Sequence, residues 1–189
     1  MNHNPNGYLL YHFFIIGTLG EIELDITMIA EIGSNWEGDI KKAKDLISQI
    51  KSSGANAVKF QMWRAEDLYD HNIPEWKSIK KSELNFETAE QLKKYSDDVG
   101  IDFFCSPFYP EAVDFLESLN VKQYKIASRT SALKDTDSLS TLKKVSQTQK
   151  PIVMSLGLGG DIKKLKNIFS NNELILCYCI ADYPTNFNK

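Results

Sequence analysis

From Thr27 onward, short runs of β-branched and aromatic residues alternate with segments whose apolar residues recur every three or four positions. The strand candidates are Thr27–Gly33, Ala55–Gln61, Asp102–Phe108, Gln123–Ser128, Pro151–Gly157 and Leu174–Ile180. Helices with readable ends lie between them. Asp39 heads a run with Ile40, Ala43, Ile47 and Ile50 on one face, closed by Gly54. A second begins after Asn85, turns Ala89, Leu92 and Val99 inward and stops at Gly100. Pro110 opens a third, bearing Ala112, Val113, Leu116 and Leu119. Leu139, Leu142 and Val145 mark a fourth, and Asp161 heads a fifth with Ile162, Leu165 and Ile168 toward the sheet.

Strict alternation implies a parallel sheet, because each helix is a right-handed crossover that returns the chain to the same end. Of the two parallel architectures, a doubly wound nucleotide-binding sheet carries a glycine-rich turn after its first strand, and "EIGSNWEGD" does not match it. The expected fold is therefore α/β, a TIM (β/α)8-type barrel. Such a barrel needs eight units and about 250 residues. In 189 residues the chain holds about six, so the barrel is expected to be incomplete. Residues 27–189 form this partial barrel, and residues 1–26 an N-terminal extension in which "FFIIGTLGEIELD" reads as a β-hairpin about a Gly-containing turn.

A net charge of −3 and only two arginines, Arg64 and Arg129, give no basic field for nucleic acid. The longest apolar stretch, "YLLYHFFIIG", is about half the roughly 20 residues of a membrane span and follows no Lys or Arg, which argues against an anchor or a signal peptide. Cys105, Cys177 and Cys179, odd in number and without C-x-x-C spacing, fit reduced thiols and a cytoplasmic location. Cys177 and Cys179 share a strand face, an arrangement that reads as small core packing ahead of a metal site.

Parallel α/β folds work at the carboxyl ends of their strands, and polar residues interrupt several strands there: Glu31, Lys59 with Gln61, Ser106, Lys125 with Ser128, and Ser155. Period two puts Lys59 and Gln61 on one face. One strand-end lysine reads as a solvated residue, and Glu31 with Lys59 as a structural ion pair. Two lysines at analogous places, flanked by hydroxyls, favour a phosphorylated or carboxylated ligand, because a desolvated ammonium is costly without an anion.

At these residues the chain resembles the sialic acid synthase (N-acetylneuraminate synthase) family. The blocks "IAEIGSNWEGD", "GANAVKFQMWRAEDL", "FFCSPFYPEAVDFLESLNVKQYKIAS", "KPIVMSLGL" and "CYCIADYP" carry the likeness from about Met28 to Pro184. The resemblance implies a (β/α)8 enzyme that condenses phosphoenolpyruvate with an open-chain N-acyl aminosugar such as N-acetylmannosamine, releasing phosphate, with a manganese or magnesium ion as cofactor. It implies that Lys59 and Lys125 hold phosphoenolpyruvate, with Gln61, Ser106, Ser128 and Ser155 as donors. Glu31 takes the place of the first-strand acid, and Tyr183 that of a tyrosine lining the sugar pocket.

The departures define what is open. Arg129 and Thr130 replace a glycine and an acid that the family uses on the sugar, so Arg129 either holds an anionic group of a different sugar or pairs with a loop acid such as Glu66. Trp36 and Trp63 either stack on a sugar face or pack at loop roots. The polar loop Arg64–Ser82 reads as an active-site loop. The family's two metal-binding histidines lie on strands beyond residue 189, and His3, His12 and His71 do not match them, so no metal ligand is assigned in this chain. The family's C-terminal antifreeze-like domain lies beyond it as well. The expectation is an amino-terminal part of a condensing enzyme, from a truncated or split gene, weakly active or inactive alone, that associates as a homodimer or with a complementing polypeptide. Two other readings stand beside it: a non-catalytic phosphoenolpyruvate- or sugar-binding module, and a Schiff-base aldolase using Lys59 or Lys125.

Overall fold

The computed structural model describes residues 13–16, 26–182 and 185. In chain order the elements are β1 (Phe13–Ile16), β2 (Thr27–Glu31), α1 (Ile40–Ser52), β3 (Ala57–Met62), α2 (Ala65–Leu68), α3 (Trp76–Lys81), α4 (Phe86–Val99) and β4 (Asp102–Pro107). They continue as α5 (Pro110–Ser118), β5 (Tyr124–Ile126), α6 (Ser128–Ser131), α7 (Ser138–Gln147), β6 (Ile152–Ser155), α8 (Ile162–Ile168) and β7 (Leu174–Cys177).

Helices α1, α4 and α8 begin where the sequence provides a side-chain cap. The Asp39 carboxylate accepts the N–H groups of Lys41 and Lys42 at 2.9 and 3.1 Å, Asn85 accepts that of Thr88 at 2.8 Å, and Asp161 that of Lys164 at 3.0 Å. Pro110 fills the first turn of α5, and Gly100 ends α4 in the left-handed conformation, with φ of 73°. In α8 the buried residue is Leu165, with Phe169 buried just past its end, whereas Ile162 is 47% exposed. Ile162 does not face the sheet as its spacing suggests, because periodicity assigns a face but not how far along the helix the cover extends.

Strands β2, β3 and β4 pair in parallel in that order, as do β5, β6 and β7, and β4 lies beside β5 without a ladder between them. Each strand neighbours the one before it, with no reversal of order, which is barrel winding rather than doubly wound winding. The two strand faces are distinct. Ala30, Val58, Phe60, Phe103, Tyr124, Ile126, Ile152 and Met154 join the helices in the main core, whereas Ile29, Ala57 and Phe104 form a separate apolar cluster on the opposite, inner face. The polar strand-end residues stand in register next to that inner cluster.

Strand β1 pairs antiparallel with β2, Phe13 opposite Ala30 through Ile16 opposite Thr27. The stretch "FFII" thus borders the first barrel strand; residues 17–25, including the second predicted hairpin strand, lie outside the described residues. In a closed barrel the edge of the first strand takes the last strand. Here β1 occupies it. Deleting residues 1–25 should bare that edge and cause concentration-dependent association in light scattering; a monomer of unchanged melting temperature would refute this protective role. Among the described residues no helix is long and apolar enough to cross a membrane.

Candidate active site

The register of the ladders assembles the polar layer. Glu31 lies opposite Lys59, and Lys59 opposite Phe104; Gln61 lies opposite Ser106, Lys125 opposite Val153, and Ser155 opposite Cys177. Lys59 is 3% and Lys125 2% exposed, so both ammonium groups are withdrawn from water. Lys59 is ion-paired with Glu31 Oε2 on the neighbouring strand, while Glu31 Oε1 is buried and accepts no hydrogen bond. Lys125 Nζ contacts Ser155 Oγ and, at 3.5 Å, the carbonyl of Ile126.

Burial, aided by the positive charge of Lys59, pushes the Lys125 ammonium below its ordinary value, while the Glu31 carboxylate pulls it back up. The three charged groups therefore act on one another across a shared interior. Ser106 is fully buried and its hydroxyl finds no partner. The result is a buried, low-dielectric layer of two ammonium groups and one carboxylate, with an orphan hydroxyl donor and an orphan carboxylate acceptor. This arrangement can neutralise an anion and hold one O–H group beside it.

The other predicted residues fall around this layer. The Gln61 carboxamide oxygen lies 3.6 Å from where a Cβ on Gly33 would stand. Ser128 is not a strand-end residue: the chain turns at once after β5, and Ser128 opens α6, its Oγ accepting the Gly157 N–H at 3.0 Å. That bond ties the β5–α6 turn to the end of β6, and a Cβ on Gly157 would crowd Ser128 Oγ at 3.1 Å. Arg129 pairs with a loop acid, Asp135, through Nε at 2.7 Å, while Glu66, the example the sequence offered, pairs with Lys80 at 2.9 Å. Trp36 and Trp63 are buried and pack in the core. The loop Arg64–Ser82 contains α2 and α3. Tyr183 lies outside the described residues.

Ser131 and Asp135 escaped the sequence reading. Ser131 donates its hydroxyl to the Ser155 carbonyl at 2.6 Å, fixing the strand end against which Lys125 rests. Asp135 was legible only as part of the "DTDS" helix start, where its N–H bonds Ser138 Oγ at 3.2 Å. The cysteines are free. Burial pushes the Cys105 thiol up to about 12, and Cys177, raised by burial and opposed by Lys125, lines the same interior. Among the described residues no three His, Cys, Asp or Glu side chains gather as a metal-binding group. His71 instead stacks on Trp76 at 4.1 Å. Among the described residues no side chains are therefore placed to hold the divalent cation that the resemblance implies.

Fold and site together define a parallel α/β-barrel protein whose strand ends enclose a lysine pair suited to an anionic ligand. The NeuB family model matches residues 46–189, and the chain belongs to this family. It is 36% identical over 163 residues to an uncharacterised protein of Methanocaldococcus jannaschii, covering 84% of this chain and 47% of that one. It is 30% identical over 183 residues to the N,N'-diacetyllegionaminic acid synthase of Campylobacter jejuni, covering 86% of this chain and 53% of that one. The crystal structure of the N-acetylneuraminic acid synthetase of Leptospira borgpetersenii, solved with citrate, superposes with a TM-score of 0.77 at 27% identity, covering 94% of this chain and 63% of that one. The chain spans about half the length of the curated relatives it matches.

Proposed function

We propose that this chain supplies the phosphoenolpyruvate-binding part of a nonulosonate-type synthase, an enzyme that joins phosphoenolpyruvate to an N-acyl aminosugar aldehyde. The observation that carries this reading is the burial of Lys59 and Lys125 in one interior beside an unpartnered Ser106 hydroxyl. Two cations and a donor match a small multi-anion better than they match a single carboxylate side chain. Likeness to two synthases, one of legionaminic and one of N-acetylneuraminic acid, favours the same class.

In this reading Lys59 and Lys125 hold the phosphate and carboxylate of the ligand, with Ser106 and Ser155 donating to its oxygens. The alkene carbon attacks the aldehyde, forming the C–C bond while the aldehyde oxygen takes a proton. Water then adds to the electron-poor enol carbon, and the tetrahedral centre expels inorganic phosphate. Glu31 is fixed by Lys59 through Oε2, and its free Oε1 accepts a hydrogen from that water. Positioning and electrostatic stabilisation supply the catalysis.

Titration calorimetry with phosphoenolpyruvate tests the site directly. Because the Lys125 ammonium sits below its ordinary value when no anion faces it, an arriving anion raises it. At pH values between the ligand-free Lys125 value and the ordinary lysine range near 10.5, binding takes up a proton. The apparent enthalpy there should vary with the buffer's ionisation enthalpy, and affinity should fall as pH rises. Absence of binding at millimolar ligand, or binding with no proton uptake anywhere on the alkaline side, would count against the assignment. For folding the sign is the same physics without ligand: Lys125 favours the folded state fully only above the ordinary lysine value, and that contribution is lost as pH falls through its depressed value.

A further inference from the structure

Lys125 owes its place to the end of β6, and that end is gripped from a neighbouring helix. In register Lys125 lies opposite Val153, so Ser155, two residues on, shares its face, and Ser155 Oγ accepts a hydrogen bond from the ammonium. The β5–β6 ladder stops at Ile126 opposite Met154, because the chain turns at once into α6. Ser155 is thus still paired with Cys177 on β7 but no longer with β5.

Ser131 takes over on the β5 side. It is 1% exposed, and its hydroxyl donates to the Ser155 carbonyl at 2.6 Å; the Ser128 carbonyl, at 3.0 Å, competes for the same hydrogen at longer range. The backbone there is packed closely too, since a Cβ on Gly160, in the loop after β6, would stand 3.1 Å from the Ser131 carbonyl oxygen. The bond from the Gly157 N–H to Ser128 Oγ grips the same loop from the first residue of α6. A buried helical serine can satisfy its hydroxyl within its own turn. Here the shorter bond goes to another element, and to the residue that meets the lysine.

We infer that Ser131 is a positioning residue of the anion site: by fixing the Ser155 backbone it holds Ser155 Oγ against Lys125 and sets where that ammonium points when an anion arrives. What the site binds is taken from the phosphoenolpyruvate reading above, whereas the coupling of Ser131 to Lys125 is present without ligand.

NMR of the full chain with isotope-labelled lysine, the Lys125 signal being assigned by its loss in Lys125→Arg, reads that coupling directly. The charged and titratable groups that act on Lys125 are Lys59 on β3, Glu31 on β2, and Cys177 and Cys179 at β7, and Ser131→Ala alters none of them. It alters burial, the largest influence on Lys125. Once the strand end is released and admits water, the depressed Lys125 titration should move up toward the ordinary lysine value, and phosphoenolpyruvate affinity measured by calorimetry should fall by about tenfold. Ser131→Thr keeps the hydroxyl and should restore the titration, with affinity within about twofold of the parent. Thr141→Val removes a different buried bond, from Thr141 Oγ1 to the Asp137 carbonyl at 2.7 Å, and should lower the melting temperature while leaving Lys125 and ligand affinity unchanged. Ser131→Cys, with a weaker donor, carries the same comparison where the alanine variant does not fold. The inference is overturned if the Lys125 titration keeps its parent position without the hydroxyl, if a chain that binds phosphoenolpyruvate binds it equally well in Ser131→Ala, or if Thr141→Val moves either quantity as much. A Lys125 titration that moves in Ser131→Ala and returns in Ser131→Thr, in a chain that never binds phosphoenolpyruvate, would uphold the coupling and discard the phosphoenolpyruvate reading.

Discussion

Replacing Lys59 by methionine is expected to weaken phosphoenolpyruvate binding by about 100-fold or more, in line with the roughly 2–5 kcal/mol lost when one partner of a buried charge pair is truncated. The same change strands Glu31. With the Lys59 ion pair gone, a mostly buried carboxylate loses its ion-pair partner among the described residues, at a cost of about 3–5 kcal/mol of folding stability. Binding and stability are then separable by a second substitution. The double variant Lys59→Met with Glu31→Gln removes both charges, and its denaturation midpoint should return most of the way to the parent value while phosphoenolpyruvate remains unbound. Were Lys59 only a structural partner for Glu31, the double variant would bind the ligand as well as the parent does. Calorimetry and urea denaturation on the three proteins decide between these outcomes.

The second large effect is expected at Gly38, which has nothing to do with charge. Its φ is +68°, and a Cβ there would stand well inside contact distance of the Lys81 backbone carbonyl. The loop after β2 is thereby pressed against the end of α3, next to the buried Trp36. An alanine would incur about 1–2 kcal/mol for the left-handed backbone and roughly 1–3 kcal/mol for overpacking against a main-chain atom that cannot rotate away. A loss near 3 kcal/mol should lower the melting temperature by roughly 6–12 °C in a domain of this size. Gly54, also at positive φ (88°) but with nothing within 4 Å of its absent Cβ, is the control. Gly54→Ala should cost only the backbone part. Equal melting temperatures for the two variants would show that the contact with Lys81 is not what constrains the loop.

The six parallel strands and their winding were legible because a half-buried strand and an amphipathic helix write different periods into the chain, and because Asp39, Asn85 and Asp161 are the residues that satisfy orphan N–H groups. The lysines were legible for a related reason: a charge at an inward position of an apolar strand breaks the pattern. The chain-local code also had limits. It extended the Gln123–Ser128 strand through Ser128, where the chain already turns into α6. It did not show that "FFII" pairs with β2, because that antiparallel pairing depends on which edge is open rather than on the nearest turn.

What the sequence determined by itself was the element order, the inward-facing set Glu31, Lys59, Gln61, Ser106, Lys125 and Ser155, and membership of a family of barrel proteins. Periodicity and residue type are local properties, and each of these follows from them. Only the tertiary structure decided who meets whom. It paired Arg129 with Asp135 and not with Glu66, left Glu31 Oε1, Ser106 Oγ and Asp135 Oδ2 without partners, and drew Lys125 into the field of Lys59. Those outcomes depend on distances across strands and loops far apart in the chain, and on how much water is excluded between them, which no local pattern encodes.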